Sequence, residues 1–203
     1  MNISYEDDLG AAITSKQVDD LPYYKKIFTP VGSNLIKKIE NYIDNELATI
    51  YYYKDAGELE TDALNTLLTF NGAFAIIERE VYGSYIIENK THYYAASFNV
   101  KTRELYDSNG LEIAYEEIDT VTNLPNYDLT NKYLGEYIDD TSTDYCRFDY
   151  NSDGSLSNCD YNYLSDFDRE VFDATTLDWI KNLFMLTDSM YNYYLTADFM
   201  PPI

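Results

Sequence analysis

An α+β chain is what this sequence predicts: an antiparallel β-meander with a helical hairpin before it and two helices after it. Three observations carry that expectation. Residues 74–118 are rich in β-branched and aromatic side chains, interrupted by short polar breaks at Glu88-Asn89-Lys90, Lys101-Thr102 and Ser108-Asn109-Gly110. Leu35, Ile36, Ile39, Tyr42, Ile43, Leu47 and Ile50 recur at the three- and four-residue spacing of one helix face. Leu177, Ile180, Leu183, Phe184, Met190 and Tyr191 repeat the same spacing near the end of the chain.

In chain order, residues 1–32 are polar and punctuated by Pro22, Pro30 and Gly32, which reads as an irregular arm. Ser33 is placed to cap a first helix that Gly57 ends, and a second runs from about Glu58 to Phe70 and stops at Asn71-Gly72. The two form a hairpin over residues 33–72, against one face of a meander over 73–118. Residues 119–164 read as an acidic loop region with the pair Asp139-Asp140. Residues 165–203 read as two helices, at about 165–172 and 176–197, closed by Pro201 and Pro202. With 203 residues and no internal repeat or low-complexity linker, a single domain is the simplest organisation.

Composition narrows the function classes. The formal charge is −22, from 36 acidic residues against 14 basic ones, which opposes direct binding to nucleic acid phosphates or anionic lipid. Basic partners, cations or plain solubility are favoured instead. Tyr alone contributes 23 residues, more than one core of this size needs, which points to contact surface. Tyr51-Tyr52-Tyr53, placed on the first helix, cannot share one face, so at least one ring looks outward as a binding candidate. No signal-peptide pattern and no membrane-length apolar run is visible, so the expected location is a cytoplasm or a virion, with Cys146 and Cys159 reduced. Abundant Asn, Ile, Lys and Tyr suggest an AT-rich coding genome such as that of a phage.

The sharpest motif spans Asp149 to Asp160. Asp149, Asn151 and Asp153 offer oxygens on alternate residues, Gly154 allows a sharp turn, and Ser155, Ser157 and Asp160 can complete a shell of oxygens around a hard cation. This stretch resembles the calcium loop of dockerin modules and EF-hands, and the resemblance implies calcium. The competing reading is a hairpin turning at Asn151-Ser152-Asp153-Gly154, with Tyr150 opposite Ser155 and Cys146 opposite Cys159.

A second local pattern joins the strand from Thr91-His92-Tyr93 to Leu105-Tyr106-Asp107-Ser108, and resembles the His- and Asp-bearing strands of ubiquitin-like cysteine proteases. That resemblance implies Cys146 as nucleophile, His92 as its base and Asp107 as the residue orienting the base. The chain departs from the family's pattern: its only Gln is Gln17, and Arg147 rather than Gly follows the Cys.

Three function classes follow. The first is a non-enzymatic, acidic, Tyr-rich interaction subunit of a larger assembly, such as a phage virion component, contacting a protein partner or further copies of itself. The second is an acidic mimic of nucleic acid that blocks a basic nucleic-acid-binding enzyme. The third is a cysteine peptidase or an inactive relative of one.

Overall fold

The computed structural model describes residues 1–95, 97–135, 145–162, 169–172 and 177–202. It is mainly β. Thirteen strands are defined among the described residues: β1 (Asn2–Glu6), β2 (Ala12–Ile13), β3 (Tyr23–Thr29), β4 (Lys38–Ile43), β5 (Glu46–Tyr53), β6 (Ala73–Tyr82), β7 (Tyr85–Tyr94), β8 (Ser97–Tyr106), β9 (Glu112–Ile118), β10 (Pro125–Gly135), β11 (Tyr145–Tyr150), β12 (Leu156–Asn162) and β13 (Arg169–Phe172). Three α-helices, α1 (Glu60–Leu67), α2 (Asp178–Leu183) and α3 (Asp188–Leu195), are all short. The strands pair in the order β13-β12-β11-β10-β9-β8-β7-β6-β5-β4-β3-β1-β2. Among the described residues no helix is long and apolar enough to cross a membrane.

The expected α+β class with a leading helical hairpin is therefore corrected. Residues 33–57 contain strands β4 and β5, joined at Asp44-Asn45, both with positive φ (49° and 64°). Two left-handed residues between strands match the right-handed twist of a hairpin, and Asp and Asn tolerate that conformation. The apolar residues of this segment satisfy helical spacing, but β-branched and aromatic side chains crowd a helix and suit a pleated surface. Only the second half of the expected hairpin is helical, as α1. It supplies the crossover that lets β5 and β6 run parallel, while every other strand pair with a defined register is antiparallel.

Further corrections follow the same logic. The arm over 1–32 contains β1, β2, a 3-10 turn at Val18–Asp20 and β3. Within 74–118 four strands are present, but the turns fall at Gly83-Ser84 and around Ala95, while the polar stretches Glu88-Asn89-Lys90 and Lys101-Thr102 lie inside β7 and β8. Glu88 and Thr102 are buried and Asn89, Lys90 and Lys101 half-buried, so polar residues inside a strand look like turns in sequence. The loop expected over 119–164 holds β10, β11 and β12, and residues 169–172, expected as helix, form β13. The long final helix is broken into α2 and α3 at Phe184 to Thr187, where Met185 has a positive φ (50°) and Thr187 caps α3 by accepting from the Met190 amide. Asp139-Asp140 and the start of the expected helix at 165–168 lie outside the described residues.

Two compact units divide the chain: unit 1 is residues 1–79 and 89–101, unit 2 is residues 80–88 and 102–203. In unit 1, Ala63 and Leu67 of α1 pack on Ile50, Tyr52, Phe74, Ile76 and Tyr93. On the other face Tyr53, Ala75 and Ile77 pack with Ile36, Ile39 and Tyr51. In unit 2, Cys146, Phe148, Tyr150, Cys159 and Tyr161 of β11 and β12 are covered by Leu177, Ile180, Tyr193 and Tyr194. Among the described residues eight of the 23 tyrosines are buried, four in each unit.

Candidate interaction site

In unit 1 the strand alternation of β4 and β5 and the apolar face of α1 leave a groove of about 510 Å³ between helix and sheet. Leu47, Ile50, Leu67 and Phe70 give it an apolar floor, Thr66 and Thr69 edge it, and its only charged side chains are Lys37 and Lys38. Lys37 Nζ lies 2.7 Å from Glu58 Oε2 and 2.8 Å from Asp55 Oδ2, and 4.5 Å from the centre of the Tyr52 ring. Burial works against its charge, but Asp55 and Glu58 outweigh burial and hold the Lys37 ammonium above its ordinary range. Tyr52 Oη donates to Glu58 Oε1 at 2.7 Å, so one carboxylate ties the strand, the lysine and the helix entry together. Lys38 Nζ is 2.6 Å from Glu40 and 4.1 Å from the Phe28 ring centre, with Lys26 5.1 Å from the same ring. Tyr93 fastens α1 from the far side by donating to Glu60 Oε1 at 2.8 Å.

Unit 2 centres on a buried cation. Lys132 of β10 is fully buried, and its Nζ donates to the carbonyls of Tyr193 (2.5 Å) and Thr196 (2.7 Å) at the end of α3. Those carbonyls have no partner within the helix, so an ammonium placed there satisfies both and meets the negative end of the helix dipole. It also sits 3.4 Å from the Tyr193 ring centre. Burial pulls the Lys132 amine down to about 7, against the opposing pull of Asp198 and Glu116. Glu116 is itself fully buried in an ion pair with Arg103; burial pushes its carboxyl up, and Arg103 opposes that shift. Tyr150 Oη donates to the Tyr194 carbonyl (3.0 Å), Ala197 donates to the Gly154 carbonyl (2.9 Å), and Arg103 lies 4.2 Å from the Phe199 ring centre. Together these fix residues 193–199 onto the sheet.

No protein-family model matches this chain, and no match is found among curated proteins or solved structures. Its own geometry must carry the functional reading.

The candidate residues named from sequence are distributed as follows. Tyr51, Tyr52 and Tyr53 lie on β5, not on a helix; Tyr52 faces α1, while Tyr51 and Tyr53 face the opposite side, where Arg79 covers Tyr53 at 4.0 Å. Tyr52 and Tyr53 are buried, and Tyr51 is half-buried beside His92, Tyr94 and Ala75 in a shallow groove of about 490 Å³. His92 falls in unit 1, Asp107 and Cys146 in unit 2. Asp107 Oδ1 accepts from the amides of Asn109 (2.8 Å) and Leu111 (2.9 Å), which fixes the β8–β9 turn. Cys146 has no solvent exposure.

Asp149 to Asp160 form a strand, a turn and a strand. Asp149 Oδ1 accepts from Arg147 Nε (2.9 Å) and its Oδ2 from Asn158 (3.1 Å); Asp153 Oδ1 accepts from the Ser155 amide (2.9 Å) and hydroxyl (2.5 Å). Asn151 Nδ2 donates to Ser155 Oγ (3.0 Å), Ser157 is exposed on β12, and Asp160 is buried on β12 opposite Arg147. The candidate ligands thus spread along a hairpin, and among the described residues no three His, Cys, Asp or Glu side chains gather as a metal group. The register is shifted from the expected one: Cys146 faces Tyr161, Phe148 faces Cys159 and Tyr150 faces Leu156, with a bulge after Asp149. Both thiols remain in one core cluster, and hydrogen bonding to Cys146, burial and nearby acids push the Cys159 thiol up.

Sequence reading missed Lys132 and the Lys37-Lys38 pair. The signal for Lys132 was present: it is the single basic residue between Arg103 and Arg147, a stretch with eleven acidic residues. A lone cation kept in such company has a structural task.

Proposed function

We propose that this chain works by binding: it is an acidic interaction subunit of a larger assembly, and unit 2 is the surface that engages a basic protein partner. The observation that carries the reading is the division of charge. Unit 1 holds thirteen acidic and nine basic residues, a net of −4, whereas unit 2 holds twenty-three acidic and five basic residues, a net of −18. Of those five, Lys132 is buried and Arg103 is spent on Glu116. A field of one sign speeds encounter with a basic surface and repels nucleic acid and anionic lipid. The assembly in view is of the phage-virion kind, and no catalytic step is assigned.

Native capture with mass spectrometry at low and high salt tests this. The expected result is a basic protein partner whose retention falls steeply with added salt. Retention indifferent to salt, or substrate turnover by the purified chain, overturns it.

A second reading is supported by the eleven acidic residues between Arg103 and Arg147, whose only intervening cation, Lys132, is withdrawn from the surface. In that reading the unit imitates a polyanion and blocks a basic nucleic-acid-binding enzyme. Displacement of bound DNA from the captured partner by the chain separates this from the first reading.

A further inference from the structure

Residues 196–200, which follow α3, lie on the sheet of unit 2 through a small set of contacts. Thr196 leaves the helix in extended backbone and pairs with Ser155 as an isolated antiparallel bridge. The Ala197 amide donates to the Gly154 carbonyl, and the Phe199 carbonyl accepts from Tyr193 Oη at 3.0 Å. Phe199, with Met200 beside it, packs on Ile87, Leu105 and Ala114. The remaining grip is Lys132, whose Nζ donates to the Thr196 carbonyl. The sheet beneath does not depend on this segment, because β9 to β12 are joined by their own ladders.

Lys132 is the contact that senses protons. Around it stand Arg103 of β8, Glu116 of β9, Tyr150 of β11, Tyr193 and Tyr194 of α3 with Tyr85 of β7 acting on both, and Asp198 on the segment itself. Burial outweighs the pull of Asp198 and Glu116 and holds the seated amine at about 7. A neutral amine keeps two hydrogens, enough for both carbonyls, so seating does not require the charge. Lifting 196–200 takes away the Thr196 carbonyl and admits water, and the amine returns to its ordinary value of 10.5. Between those values the lifted form binds more protons than the seated one. Glu116 acts in the opposite sense: burial raises its carboxyl, so hydration makes it shed a proton and blunts the effect at the acid end. Tyr150, Tyr193 and Tyr194 are pushed above 10 and act only at higher pH.

We infer that residues 196–200 form a proton-operated strap: as pH falls from the alkaline side toward neutrality, Lys132 takes up a proton, the strap lifts, and the apolar patch of Ile87, Leu105 and Ala114 is uncovered. This goes beyond the proposed function and does not depend on it.

Amide hydrogen exchange of the full chain, followed by NMR from pH 6 to 8.5 and corrected for the intrinsic rate, reads the opening of the strap at the Ala197 amide. The opening constant is expected to fall about fifteenfold between pH 7 and 8.5 and to change less than about twofold between pH 6 and 7. Ladder amides of β11 and β12 should stay better protected than Ala197 throughout. Lys132→Met is expected to make Ala197 opening independent of pH. Tyr150→Phe, which removes only the hydroxyl that grips the Tyr194 carbonyl, should raise opening at every pH and keep the slope, and it serves if Lys132→Met does not fold. Opening of Ala197 that is flat with pH in the wild-type chain, a slope that survives Lys132→Met, or exchange at Ala197 no faster than in the β11–β12 ladder overturns the inference.

Discussion

At the scale of single residues, Lys132 decides most. Its ammonium satisfies the carbonyls of Tyr193 and Thr196, so removing it strands both, while Glu116 keeps its ion pair with Arg103. Lys132→Ala is expected to cost about 3–5 kcal/mol in urea unfolding, and Lys132→Met less, because it refills the volume. The pH dependence has a definite sign. With its amine near 7 when folded and near 10.5 when unfolded, the unfolded chain binds more protons between those values, so stability rises with pH across that window. Lys132 contributes up to about 1.4 kcal/mol per pH unit to that slope, and Lys132→Met should flatten it. Above pH 10 the sign reverses. Burial, with help from Glu60, Glu104 and neighbouring tyrosines, holds the hydroxyls of Tyr93, Tyr106, Tyr150, Tyr193 and Tyr194 above their ordinary value. Those groups ionise first in the unfolded chain, so stability is lost as pH climbs through 10 and beyond. Unfolding free energies measured at pH 6.5, 8, 9.5 and 11 should therefore pass through a maximum.

Turns govern the elements. Asp44-Asn45 converts what spacing alone reads as a helix into a β-hairpin, and Asn45→Val, which forces a β-branched residue into a left-handed conformation, should cost about 1–2 kcal/mol. Gly154 has a positive φ (81°), a conformation that strains a residue with a Cβ, so Gly154→Ala is expected to destabilise by a similar amount. The same hairpin bears on calcium. Asp149 and Asp153 already accept hydrogen bonds from Arg147, Asn158 and Ser155, so an ion has to compete with contacts that are made. The expected outcome is an unchanged melting temperature in chelator and in millimolar calcium; a rise with calcium would assign a cation to the loop by linkage.

For the whole molecule, charge is the leading variable. A chain of net −22 repels itself when compact, and salt screens that repulsion. Melting temperature is expected to rise as sodium chloride increases from about 10 to 300 mM, where the Debye length falls from about 30 to below 10 Å. Neutral osmolyte at matched osmolality should not reproduce the rise.

How much of this was legible beforehand depends on the range of each interaction. Charge, the Tyr excess and the β-character of residues 74–118 are local properties, and the chain displays them openly. The half-helical spacing between Leu35 and Ile50 was ambiguous, because the pairing of β4 with β3 that resolves it involves residues 23–28. Lys132 stood out by its isolation, but nothing local says that it reaches residues 193–196, 61 positions or more away. Sequence by itself determined the acidic surface and the supply of strand-forming segments, and left residues 149–160 open between a cation loop and a hairpin. Tertiary structure alone decided which eight tyrosines are buried, that the first apolar segment is sheet, and that a lysine with no acidic partner at hydrogen-bonding distance fastens the end of the chain. Hydrogen-bonded ladders and buried charges draw their partners from far along the chain, and only folding brings those partners together.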